Sequence, residues 1–178
     1  SLLVLPNLKS MVEAIPALTE ESSVKMFEDF HVFTRAELES RVEIEYEAYS
    51  KAINIEAKTM IDMAGKQIIP AVIKYAAVLA DSLSKVKAAC PQADTSVQAE
   101  LLQETSAYLS DMKVALAALI DITEKCAAIE SNKEQANAYH NQVVPAMAAL
   151  RQPADKLEMI VDKEYWPMPS YGDLIFEV

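Results

Sequence analysis

The sequence predicts an all-α protein: an antiparallel bundle built on one very long kinked helix, preceded by two short helices and followed by an extended tail. Three observations lead there. Apolar residues recur at steps of three and four along most of the chain, the period of a helix rather than a strand. Only 2 glycines occur in 178 residues, too few for the turns of a strand-rich domain or for a phosphate-cradling loop. Three sequences of the capping-box type, Thr34-Arg35-Ala36-Glu37, Thr95-Ser96-Val97-Gln98 and Ser131-Asn132-Lys133-Glu134, mark where long helices open.

The first 33 residues hold two short segments. Asn7 is placed to cap Leu8 to Ile15, which Pro16 is expected to stop. Thr19 to Ser23 opens a second segment with Val24, Phe27 and Phe30 at helical spacing, and Met26 and Phe33 add to an apolar knot. The long helix then runs over 34–89. Its stripe is Leu38, Val42, Tyr46, Tyr49, Ile53, Ala57, Met60, Ala64, Ile68, Val72, Ala76, Leu79, Leu83 and Val86. At 1.5 Å per residue the rod is roughly 80 Å long, and it needs other segments to cover that stripe. Gly65 and Pro70 lie inside it. Proline lacks a donor and crowds the carbonyl of Lys66, so a bend without a break is expected between them.

A turn at Cys90 to Asp94 leads to a second helix over 95–129, with Leu101 or Leu102, Thr105, Tyr108 or Leu109, Met112, Leu116, Leu119, Ile122 and Cys126 inward. A third follows over 131–163 through Tyr139, Val143, Met147, Leu150, Leu157 and Ile160, with Pro145 and Pro153 expected to bend it. Residues 164–178 form the tail, where Pro167 and Pro169 favour extended backbone for Trp166 and Met168. The whole of 1–178 reads as one helical domain. The second and third helices, about 50 Å each, pair with only the Ala57–Ala89 part of the first, so Arg41 to Ile55 should overhang. Val42, Tyr46, Tyr49 and Ile53 on that overhang, with Trp166, Tyr171 and Phe176 in the tail, are the candidate docking residues.

Charge and chemistry exclude more than they propose. The net charge of −11 argues against nucleic acid and anionic membrane surfaces, which attract basic patches. No apolar run near 18 residues is free of charge, so no membrane span is expected. Cys90 and Cys126 sit at opposite ends of one helix, which fits two reduced thiols in a cytoplasmic protein. Glu28 and His31 have the Glu-x-x-His spacing of di-iron bundles, but His140 has Asn137, not Glu, three residues earlier, so no second half exists. Two histidines assemble no triad, and Gly65-Lys66 lacks the rest of a P-loop. Glu37, Glu39, Glu43, Glu45 and Glu47 alternate around a helix and read as a solvated face. No catalytic, cofactor-binding or metal-binding residue is assigned. Asn54, Glu56, Thr59 and Asp62 sit among apolar residues and are expected to be buried, hydrogen-bonded and register-fixing.

Three stretches, in order along the chain, carry a resemblance: Val32-Phe-Thr-Arg-Ala-Glu-Leu-Glu-Ser-Arg41; Asn54-Ile-Glu-Ala-Lys-Thr-Met-Ile-Asp-Met-Ala64 followed by Gln67-Ile-Ile-Pro-Ala-Val72; and Ala154 to Phe176, with its Trp166-Pro-Met-Pro-Ser-Tyr171 tail. They resemble the C-terminal helical region of type III glutamine synthetases. The resemblance implies a cytoplasmic parent enzyme that joins ammonium to glutamate with ATP and a divalent metal (Mg or Mn), assembled as stacked hexameric rings. It also implies that the catalytic residues lie elsewhere in that parent. Its own catalytic domain and neighbouring subunits are then the expected partners, for an assembly or domain-docking role. The opening Ser1-Leu2-Leu3, without Met, fits a fragment of a longer chain. The alternative is a free-standing helical adaptor for other proteins.

Overall fold

The computed structural model describes residues 7–169 and 171–176, the side chain of Tyr171 excepted. Every regular element among them is helical. In chain order they are α1 (Met11–Ala14), a 3₁₀ turn (Ile15–Thr19), α2 (Glu21–Asp29), α3 (Arg35–Met63), a π-helical turn (Ala64–Ile68) and α4 (Ile69–Ala89). Then come α5 (Ser96–Ala127), α6 (Asn132–Ala138), a second π-helical turn (Tyr139–Val143), α7 (Val144–Ile160) and α8 (Tyr171–Phe176).

The helix starts follow from their caps. At α3 the Thr34 backbone N–H and its hydroxyl both donate to Glu37 Oε2 at 2.8 Å, and the Glu37 N–H donates back to Thr34 Oγ1 at 3.4 Å. These bonds hold the exposed Glu37 carboxyl below its usual range, the backbone donor contributing most. Ser131 Oγ accepts from the Glu134 N–H at the start of α6. At α5 it is Asp94 that accepts from the Ser96 N–H, at 2.9 Å. The first cap differs from expectation. Ser10, not Asn7, accepts from the Glu13 N–H, and Pro16 does not stop the chain's turning, because it occupies the first turn of the 3₁₀ segment, where its missing donor is not needed.

The long helix runs unbroken from Arg35 to Ala89. Both π turns sit at the same place relative to a proline. Ala64–Ile68 ends two residues before Pro70, and Tyr139–Val143 two residues before Pro145. The Ile69 N–H reaches the Ala64 carbonyl and the Val144 N–H the Tyr139 carbonyl, five residues back in each case. Each widened turn stands where a proline ring would otherwise crowd an α-helical carbonyl. Pro153 is accommodated inside α7. Residues 166–169 are non-helical, as their prolines require, but Tyr171–Phe176 is a short helix and not extended tail.

Two compact units emerge, one of Ser1–Ala57 with Asp121–Pro145, the other of Lys58–Ile120 with Ala146–Val178. In the first, Val12, Ile15, Tyr46 and Ala136 form a buried cluster with Val42 and Tyr49 packed against it. Gln135 Nε2 donates to the carbonyls of Cys126, Ala127 and Ile129, which are left open at the end of α5. In the second, Val72, Leu79, Met112, Leu116, Leu119, Leu150 and Leu157 are buried. Tyr75 meets Tyr165 with ring centres 5.9 Å apart, and Lys163 pairs with Asp173 of α8. By length and composition Arg35–Ala89 passes as a membrane span, a test that core helices also pass. Val72 and Leu79 of this helix are buried within the protein.

Candidate functional site

The docking residues expected on the leading part of α3 lie where the chain itself covers them. Tyr46 is 2% exposed. Its neighbours Val42 and Tyr49 close on the cluster formed with the first turns and with Ala136 of α6. Tyr49 Oη lies 3.1 Å from His140 Nδ1, and Asn132 Nδ2 donates to Glu43 at 3.0 Å. Ile53 is half-buried. The N-terminal turns cover part of this stretch, and the expectation that the later helices pair only with Ala57–Ala89 is corrected. The segment 121–145 and the N-terminal turns share one compact unit with this face, and Asn132, Ala136 and His140 meet it.

Burial also sets the chemistry of this face. It pushes the hydroxyls of Tyr46 and Tyr49 above the ordinary tyrosine value, with Glu43 and Glu56 adding to the effect respectively. Tyr139 and the Cys126 thiol are raised for the same reason. A tyrosine and a thiol held neutral in this way are packing groups, not nucleophiles. Cys90 and Cys126 are both free.

The tail presents a different surface. Trp166 is half-buried with its indole nitrogen enclosed, while Leu174 and Ile175 are exposed and Phe176 is 80% exposed. The side chain of Tyr171 lies outside the described residues. Of the six apolar residues larger than alanine that the sequence places on Arg41 to Ile55, it is Ile44 and Ile55 that are exposed, while Val42, Tyr46, Tyr49 and Ile53 are buried or half-buried.

The Glu28–His31 pair is not a metal site. α2 stops at Asp29, and His31 sits beyond it at φ 54°. The His31 N–H bonds to the Glu28 carbonyl (3.0 Å) and the Val32 N–H to the Phe27 carbonyl (2.9 Å), the Schellman pattern that closes a helix. Glu28 Oε1 instead accepts from the Arg35 N–H. Among the described residues no three His, Cys, Asp or Glu side chains converge. Of the four residues expected to be buried and register-fixing, Glu56, Thr59 and Asp62 are exposed, Asp62 pairing with Lys66, and only Asn54 is half-buried.

With the fold and these surfaces described, comparison with known proteins is decisive. Residues 4–87, which hold the N-terminal turns, all of α3 and nearly all of α4, match the family model of the glutamine synthetase C-terminal domain. Over those residues the chain matches that domain family. A glutamine synthetase of Butyrivibrio fibrisolvens is 29% identical over 174 residues, covering 98% of this chain and 25% of the relative. A type-3 glutamine synthetase of Dictyostelium discoideum is 28% identical over 179 residues (97% and 24%), and a glutamine synthetase of Bacteroides fragilis 30% over 176 (97% and 24%). The chain therefore spans about a quarter of the length of the curated relatives it matches. The similarity runs through α5 and α6 as well, where no motif guided the sequence reading.

Proposed function

We propose that this chain is the C-terminal helical part of a longer glutamine synthetase, a cytoplasmic homo-oligomer of stacked rings that ligates ammonium to glutamate using ATP and Mg or Mn. In this reading the helical part contributes no catalytic group. It docks against its own catalytic domain or a neighbouring subunit. The observation that carries the reading is the pairing of near-complete coverage of this chain with quarter coverage of each relative. The chemistry of the described residues agrees with it. Their perturbed groups are tyrosines and a thiol raised by burial, and exposed charged groups (Arg35, Glu37, Asp94) engaged in ion pairing or helix capping.

Two measurements test the two halves. Calorimetric titration of the 178-residue chain with Mg-ATP is expected to give no heat of binding, and tight binding would overturn the non-catalytic assignment. The reading frame that encodes the chain is expected to hold a glutamine synthetase core ahead of Ser1. Glutamine formation by the full-length product, and its loss when residues 1–178 are deleted, is the expected result. A frame that opens at this chain would refute the parent enzyme.

A further inference from the structure

Within the second unit a pocket of about 140 Å³ opens beside the first π turn, between α3, α5 and α7. Its floor is apolar and closed: Ala64 and Ile68 of the turn, Met112 of α5 and Leu150 of α7 are all buried. Its mouth lies between α3 and α7, where Met60, Met63 and Ala154 are half-buried and Arg151 is exposed. Ala64 and Ala154 stop at the β-carbon, which leaves volume that a larger side chain would take up.

The lining decides what the pocket can hold. A buried water needs about two to four polar partners, and these walls offer hydrocarbon and thioether groups instead. The one charged residue is turned aside. Arg151 Nε donates to both carboxylate oxygens of Asp155, at 3.4 and 3.2 Å, so its methylene stem borders the mouth and the pair carries no net charge. An ion entering here would give up its hydration and meet no uncompensated opposite charge. The three methionine side chains are flexible and polarizable, and they adapt to flat rings and to branched alkyl groups alike. Apolar cavities of about 150 Å³ stay dry and take benzene, which sets the size of the guest.

We infer that this pocket is a binding site for a small neutral apolar molecule, an aromatic ring or branched hydrocarbon of about six to eight non-hydrogen atoms. The inference stands on the second unit alone and does not depend on the proposed parent enzyme.

The test is a titration with toluene of the 178-residue chain carrying carbon-13 at its methionine methyl groups. The signals of Met60, Met63 and Met112 should shift saturably, half-complete below about 1 mM, as the size of the ligand allows. Met159, 85% exposed in the same unit, is the internal control and should not move. Benzoate, the same ring bearing a charge, should bind roughly tenfold more weakly or worse. Ala154→Leu should fill the mouth and abolish the shifts. If that variant does not fold, the comparison of toluene with benzoate on the unaltered chain still decides. The site is overturned by the absence of a saturable shift up to the solubility of toluene. Shifts that appear equally at Met159, persist in a folded Ala154→Leu variant or are reproduced by benzoate at equal concentration overturn it as well.

Discussion

Replacing His31 by glycine should stabilise the protein, although it removes one of only two histidines. His31 is the residue after the cap of α2 and holds φ 54°, with its N–H and that of Val32 closing the helix onto Glu28 and Phe27. For an L-residue that conformation costs roughly 1–2 kcal/mol, towards the lower end for His, which visits it more readily than most. Glycine adopts it without steric cost. It loses more freedom on folding, an opposing effect of about 0.5–1 kcal/mol. The imidazole is exposed and makes none of the helix-closing bonds, which are all backbone. The net expectation is up to about 0.5 kcal/mol of added stability, or up to about 2 °C in melting temperature for a chain of this size. Urea unfolding followed by circular dichroism measures it, with an unchanged slope showing that the unfolded reference has not moved. A loss of stability beyond about 0.5 kcal/mol would refute the reasoning, because it would mean that the side chain makes a contact which outweighs the strain.

The converse substitution, Gly65→Ala, should also stabilise, by roughly 0.5–1 kcal/mol. Gly65 lies in the first π turn without a positive φ, and a β-carbon there would meet only Leu116 Cδ2, at 3.9 Å; a drop in melting temperature would show that the turn needs glycine after all. Leu157→Ala, at a fully buried position of α7, is expected to cost about 2–5 kcal/mol in chemical denaturation. Tyr49→Phe removes the bond to His140 and should cost about 0.5–1.5 kcal/mol, measured the same way. In alkali, Tyr46, Tyr49, Tyr75 and Tyr139 are held neutral by burial, so their folded pKa values lie above the unfolded value near 10. Their contribution to stability is complete below about pH 10 and lost as pH rises through the folded values. Tyrosinate absorbance of the native chain should lag that of the urea-unfolded chain, and coincident curves would contradict the burial.

Much of the fold was legible because helices report themselves locally. All fourteen residues of the stripe traced along 34–89 are buried or half-buried, and the capping bonds at Thr34 and Ser131 form as their sequences suggest. The π turns were legible too, in a signal that was passed over. From Met60 through Ala64, Ile68 and Val72 to Ala76 the stripe takes four steps of four. A pure α-helix would drift by about 160° over them, and one extra residue in a turn reduces the drift to about 60°. Tyr139, Val143 and Met147 repeat the sign ahead of Pro145. The surface was harder to read. The overhang was judged from helix lengths alone, and lengths do not say where along α3 a neighbouring helix begins: Ala136 and His140 meet Tyr46 and Tyr49.

What the sequence determined by itself is the set of helices, their inward stripes and their family, since period, capping and motif are properties of neighbours along the chain. Which side of α3 the chain itself covers was decided only in three dimensions. Tyr46 and Ile44 are both apolar, on one helix and two residues apart, and nothing local distinguishes them. Packing against Val12, Ile15 and Ala136 makes Tyr46 core, while Ile44 stays exposed.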